Sequence, residues 1–95
     1  MFRVFYHHLV VRDDIPRLSA VWKKNVRQAI ETKLTTNPEV YGKPLRRSLK
    51  NYRKLRVGDY RIIFRIEGAN IRILVIQHRS EVYSEVEKRM IEVRL

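Results

Sequence analysis

Seven basic residues and no acidic one fall between Lys43 and Arg56, namely Lys43, Arg46, Arg47, Lys50, Arg53, Lys54 and Arg56. Arg61, Arg65, His78 and Arg79 extend the series. Guanidinium and ammonium groups at this density suit a phosphate-rich polyanion, because each donates charge-assisted hydrogen bonds to non-bridging oxygens. If that polyanion is RNA, it brings its own nucleophile, the 2′-hydroxyl beside the scissile phosphorus. A protein that cuts it has to orient the chain, neutralise the phosphate oxygens and manage two protons. Arg61 with a second arginine, Arg56 or Arg79, would stabilise a phosphorane-like transition state. Lys54, crowded by Arg56 and Arg61, is the first candidate for proton transfer, since neighbouring positive charge disfavours its protonated form. His78 is the alternative carrier, set against the commoner structural use of a lone strand-end histidine. The plainer reading of the same stripe is a solvated strand face whose arginine stems lie over apolar surface.

The elements that must position these groups read as three consecutive antiparallel strands. Gly58-Asp59 has the composition of a two-residue hairpin loop, with Gly58 at the first central position of a type II′ turn. Closure on two residues sets Val57 opposite Tyr60, Arg56 opposite Arg61, Leu55 opposite Ile62, Lys54 opposite Ile63 and Arg53 opposite Phe64. Alternation then puts Leu55, Val57, Ile62, Phe64 and Ile66 on one face and Lys54, Arg56, Arg61 and Arg65 on the other. A second tight turn at Glu67-Gly68-Ala69-Asn70 would set Arg65 against Arg72, Ile63 against Leu74 and Arg61 against Ile76. On that register His78 points to the basic face. Like charges directly across a strand pair are destabilising, so Arg56 beside Arg61 and Arg65 beside Arg72 imply that an anion belongs there.

The rest of the chain supplies a small core. Its 95 residues read as a single domain, 1–95, too small to enclose a large cofactor. A net charge of +11, without the composition of a disordered tail, favours a polyanionic partner over a membrane surface. Cysteine is absent, which excludes disulfides and cysteine-ligated metals and suits a reducing cytoplasm. No apolar run reaches membrane-spanning length, and Met1-Phe2-Arg3-Val4 opens a strand and not a signal peptide. No carboxylate cluster offers to hold a metal; Asp59 stands alone at a hairpin tip.

Phe2 to Tyr6 alternates as a first strand, and His7-His8 belongs to its end or the following loop. Leu9 to Leu18 is a short helix with a break expected around Asp14-Ile15-Pro16. The main helix runs from Ser19 or Ala20 to Thr35, its apolar stripe made by Leu18, Trp22, Val26, Ala29, Ile30 and Leu34. Asn37-Pro38 stops it, and Tyr41-Gly42-Lys43-Pro44 reads as a loop. Ser84-Glu85-Val86-Glu87 has capping-box spacing, with Val82, Val86 and Met90 along one face of a last helix reaching about Met90. The expected fold is therefore α+β: an N-terminal strand, two helices, a three-stranded antiparallel meander completing a four-stranded sheet, and a short C-terminal helix. The helices would cover one face and leave the basic face open.

Three runs carry a resemblance: Leu45-Arg46-Arg47-Ser48-Leu49, Tyr52-Arg53-Lys54-Leu55-Arg56-Val57-Gly58-Asp59-Tyr60-Arg61-Ile62-Ile63-Phe64, and His78-Arg79-Ser80-Glu81-Val82-Tyr83. Together they resemble the RelE/ParE superfamily of bacterial and archaeal toxins over nearly the whole chain, with Tyr83 pointing to the RelE-like side. The resemblance implies a RelE-like fold. It implies an endoribonuclease, independent of cofactor and metal, that cuts translated mRNA in the ribosomal A site and is neutralised by a cognate antitoxin wrapped around it. It also implies roles. Lys54 matches a lysine of proton transfer or charge stabilisation, Arg61 the arginine on the scissile phosphate, and Tyr83 the tyrosine that stacks on or orients the nucleotide. Arg79 is the candidate for a second phosphate-facing arginine. Around these, Arg46, Arg47, Lys50, Arg53, Arg56, Arg65 and His78 are candidate RNA contacts. The chain departs from the family at its second lysine, where Tyr52 stands with Arg53 beside it, and the general base stays open between Lys54 and His78. Two other readings remain: a ParE-like poison of DNA gyrase, and an RNA-binding homologue with little or no catalysis.

Overall fold

The hairpin expected at Gly58-Asp59 organises the sheet. Gly58 has φ +58° and Asp59 does not share the positive φ, as a type II′ turn requires. The register follows as expected, from Val57 opposite Tyr60 through Arg53 opposite Phe64. A second constraint acts on the same glycine: a Cβ there would lie 2.4 Å from Trp22 Cη2, so the indole packs on the bare turn. Trp22 also contacts the Tyr60 ring, with centroids 4.7 Å apart, which ties the main helix to the hairpin.

The computed structural model describes residues 1–45, 49 and 51–94, with side chains as far as Met90. The candidate contacts Arg46, Arg47 and Lys50 lie outside the described residues. Strand β1 (Arg3–Tyr6) leads to a π-helical turn (Val10–Asp14) that runs into α1 (Ile15–Arg17). Helix α2 (Ala20–Ala29) continues through a second π-helical turn (Ile30–Leu34), followed by α3 (Pro38–Tyr41). Strands β2 (Lys43–Pro44), β3 (Tyr52–Val57), β4 (Tyr60–Glu67) and β5 (Asn70–His78) precede α4 (Val82–Arg94). The break expected at Asp14-Ile15-Pro16 takes the form of the first π-turn. There the Ile15 N–H bonds Val10 O, and Pro16, which has no N–H to give, falls in the first turn of α1.

The sheet has five strands in the order β1-β5-β4-β3-β2, not four. Lys43–Pro44, read as loop, adds an edge strand opposite Lys54 and Arg53. Two residues are too few to show a period of two, and proline is tolerated on an edge where its missing N–H faces outward. Strand β1 pairs parallel to β5 and the other pairs are antiparallel.

The expected pairing of β4 with β5 holds only for half its length. Arg65 faces Arg72, but a bulge follows: Phe64 pairs Ile73 while Ile63 pairs Val75, not Leu74, and Arg61 pairs Gln77, not Ile76. One extra residue on β5 reverses the facing of everything beyond it. Leu74 and Val75 both join one apolar cluster, whereas Ile76 turns to the other.

Those clusters lie on opposite faces of the sheet. The larger packs Leu18, Val26, Ala29, Ile30 and Leu34 against Leu55, Ile62, Phe64, Ile71, Ile73 and Ile76, so the expected α2 stripe is core. The smaller joins Tyr52, Ile63, Leu74 and Val75 to Val82 and Val86 of α4, with Met90, Leu45 and Leu49 at its margin. Helices thus cover both faces, and the basic face is half closed by α4. The bulge supplies the reason: it presents an additional aliphatic side chain on that face, which α4 buries with its Val82, Val86 and Met90 stripe.

A buried ion pair completes the packing. Asp14 and Arg89 side chains are 0% and 2% exposed and meet at 2.7 Å. Burial opposes the charge on Arg89, but hydrogen bonds and attraction to Asp14 and Glu85 outweigh it and hold the guanidinium pKa above its ordinary value. Removing one partner of such a pair costs about 3–5 kcal/mol.

Candidate functional site

Lys54 of β3 and Tyr83, the second residue of α4, come together on the half-covered face. Lys54 Nζ lies 3.4 Å from Tyr83 Oη, within hydrogen-bond reach, and 5.9 Å from the ring centroid. Alternation puts Lys54 beside Ile63, and the docking of Val82 and Val86 brings the first turn of α4 over it. Tyr83 is 40% exposed, so its ring has both a protein contact and a free surface.

Arg61 is anchored by the turn it follows. Its Nη1 donates to Gly58 O at 2.8 Å and Tyr60 O at 2.9 Å, satisfying hairpin carbonyls, and the residue is 9% exposed. Nε and Nη2 are the donors left for a phosphate. Arg61, Arg56 and Lys54 line one cleft of about 330 Å³ together with Lys33, Tyr41, Lys43 and Leu55. Five of these side chains are cations and none is acidic, so the cleft is a local well for anions. Lys33 and Tyr41 escaped the sequence reading. They sit in the helical segment, 5.5 Å apart from ammonium to ring centroid, and line the cleft beside the part of β3 beyond Lys54 that β2 does not pair with.

The other expected residues divide. Arg79 is exposed just past β5, and its backbone N–H donates to Asp59 O at 2.8 Å, which places it at the hairpin tip. Arg65 shares the face of Lys54 but belongs to a different cluster. It forms an ion pair with Glu67, whose other oxygen accepts from Arg72 Nε at 2.6 Å. The anion implied by the Arg65 and Arg72 stacking is therefore the protein's own carboxylate. Each guanidinium also covers an aromatic ring, Arg65 over Tyr52 at 5.8 Å and Arg72 over Phe5 at 5.4 Å. Tyr52, at the position of the missing lysine, is buried in the smaller core.

Two expected contacts lie on the opposite face. Arg53 Nη1 donates to Gly42 O at 3.0 Å, holding α3 to the sheet. His78 was expected on the basic face, but the bulge turns it away. It pairs with Tyr60, packs edge-on to that ring at 5.7 Å, and shares a 2.8 Å hydrogen bond with Ser80 Oγ. Among the described residues no group of three or more His, Asp or Glu is arranged to hold a metal ion.

Residues 2–83 match the family described as the ParE toxin of type II toxin-antitoxin system, parDE. Toxin RelG of Mycobacterium tuberculosis is 40% identical over 52 residues, covering 53% of this chain and 60% of that protein, so the match spans less than two-thirds of the curated relative. The toxin-antitoxin complex RelBE2 from Mycobacterium tuberculosis is similar with a TM-score of 0.75 at 30% identity, over 82% of this chain and 98% of that one. The RelB-RelE antitoxin-toxin complex from Methanococcus jannaschii shares the fold at a TM-score of 0.66 and 22% identity, over 84% of this chain and 95% of that one.

Proposed function

This chain belongs to the RelE/ParE superfamily, the toxins of type II toxin-antitoxin systems, and on that premise we propose that it is an endoribonuclease cutting translated mRNA in the ribosomal A site. The observation that carries the reading is the meeting of Lys54 with Tyr83 beside a cleft lined by five cations. Message enters with its phosphates along Lys33, Lys43, Arg56 and Arg61, and a base stacks on the exposed Tyr83 ring. The 2′-oxygen attacks the neighbouring phosphorus, the bond from phosphorus to the 5′-oxygen breaks, and a 2′,3′-cyclic phosphate and a 5′-hydroxyl result. Arg61 and Arg56 stabilise the charge that builds on the non-bridging oxygens. Lys54, in contact with the Tyr83 hydroxyl, is the group placed to exchange a proton with the reacting oxygens. The set lacks a strong acid-base pair. The ribosome supplies the in-line geometry that the protein does not impose alone.

The partners follow from the same reading. A cognate antitoxin neutralises the chain, as the relatives solved as toxin-antitoxin complexes suggest, and the site of action is the cytoplasm, where message is translated. No helix among the described residues is long and apolar enough to cross a membrane. The test is inducible expression without antitoxin, followed by primer extension on a translated message. Cuts inside codons that vanish when initiation is blocked support the reading. Intact message in an Arg61→Ala, Tyr83→Ala strain completes it; continued cutting there refutes the site. The matched family's ParE description favours one other reading, a gyrase poison, which halted replication with intact message would select.

A further inference from the structure

The buried pair of Asp14 and Arg89 does more than fill the interior. Arg89 Nη1 and Nη2 meet Asp14 Oδ2 and Oδ1 at 2.7 Å and 2.9 Å, a two-point contact that fixes the plane of the guanidinium. Nη1 also donates to Leu74 O at 2.9 Å, and Nε to Glu85 Oε2 at 2.8 Å. Asp14 in turn accepts from the Ile76 N–H at 2.9 Å and Gln77 Nε2 at 3.1 Å. Leu74 is the extra residue of the bulge and Ile76 lies two positions beyond it, and β1 pairs with β5 only as far as Ile73. The ion pair therefore occupies the stretch of β5 edge that β1 leaves free.

Its place on α4 matters for the candidate site. Val82, Val86 and Met90 make the stripe that faces the sheet. At about 100° per residue, Tyr83 and Arg89 project about 60° to either side of that stripe. An apolar stripe resists separation but permits roll about the helix axis; a two-point ion pair on one flank does not. We propose that Asp14 and Arg89 are positioning residues: by clamping α4 to the bulged edge of β5 they set its roll, and so hold Tyr83 against Lys54. This rests on the endoribonuclease reading for its activity readout and is independent of it for its structural one.

The experiment compares Asp14→Asn with the unaltered chain and, as a second variant, Asp14→Asn combined with Arg89→Met, which keeps an acceptor for the Ile76 N–H and leaves no buried charge without a partner. In each folded protein the nuclear Overhauser contact between the Tyr83 ring and the Lys54 side chain should weaken or vanish, and amide exchange along α4 should speed up while that of β4 does not. On programmed ribosomes Asp14→Asn should slow cleavage about 10- to 100-fold at saturating ribosome, the scale of a misplaced reacting group. In a Tyr83→Ala background the same change should cost less than about 2-fold. Equal losses in the two backgrounds mean a general stability effect and overturn the proposal, as does an unchanged contact between Tyr83 and Lys54. If Tyr83→Ala alone leaves cleavage unaffected, the endoribonuclease site fails, and the Overhauser contact and exchange data still decide whether the pair sets the roll of α4.

Discussion

Lys54 and Tyr83, 29 residues apart in sequence, meet at 3.4 Å because β3 and the first turn of α4 share one end of the sheet face. Neither is buried, so the contact is held by its surroundings and not by its own strength. Replacing Lys54 with Met, or Tyr83 with Ala, should reduce message cleavage by about 100-fold, the usual scale for a group acting in proton transfer. Melting temperature should stay close to that of the unaltered protein. A loss of activity accompanied by unfolding would assign these residues to the scaffold instead.

On the proposed endoribonuclease reading Arg61 has two tasks, and its substitution should show both. Arg61→Ala removes donors from Gly58 O and Tyr60 O, with an expected loss of about 1–3 kcal/mol in urea unfolding. Arg61→Lys should recover part of that stability and little of the cleavage, since an ammonium cannot bond a hairpin carbonyl and a phosphate oxygen with the same fork.

His78 and Lys54 compete for the role of general base, and the bulge separates them to opposite faces. His78→Ala should leave single-turnover cleavage within about 2-fold, whereas a group of that role contributes about 100-fold or more. A collapse of the rate would mean that the histidine reaches the substrate after all.

Lys33, Lys43 and Arg56 line the cationic cleft, and the proposed function gives them phosphate contacts. Binding of a short single-stranded RNA should weaken linearly in log affinity against log salt. Each substitution by Gln should lower the slope by about 0.7. An unchanged slope in the triple variant would place the RNA elsewhere.

Gly58→Ala should destabilise the fold by about 1–3 kcal/mol, because the residue has φ +58° and the added Cβ meets the Trp22 ring. The denaturant midpoint measures it. Trp22→Leu in the same protein should relieve the clash and narrow the loss, which separates ring contact from backbone strain.

Much of the fold was legible because it is encoded locally. Gly58-Asp59 dictates the turn, the turn dictates the register of β3 with β4, and the stripe from Leu18 to Leu34 names the helix and its buried side. Lys54, Arg56 and Arg61 could be placed on one face by alternation alone. Their assembly into one cleft needed no more than that register.

What escaped depended on contacts between distant segments. A bulge has no signature in an unbroken apolar run such as Ile73-Leu74-Val75-Ile76, yet one inserted residue moved His78 to the other face and drew α4 onto the basic one. Asp14 continues the spacing of Val10 and Leu18, and Arg89 that of Val86, so each charge sat in an apolar series with nothing local to name its partner 75 residues away. The sequence alone determined which residues are cationic, which strand face they share and where the chain turns, since these follow from side-chain chemistry and a period of two. Only the tertiary structure decided which cations are already paired, as Arg65 and Arg72 are in sharing Glu67, and which meet an aromatic across the fold, as Lys54 meets Tyr83. Charge is a property of a residue, but its availability is set by the neighbours that packing brings within a few ångströms.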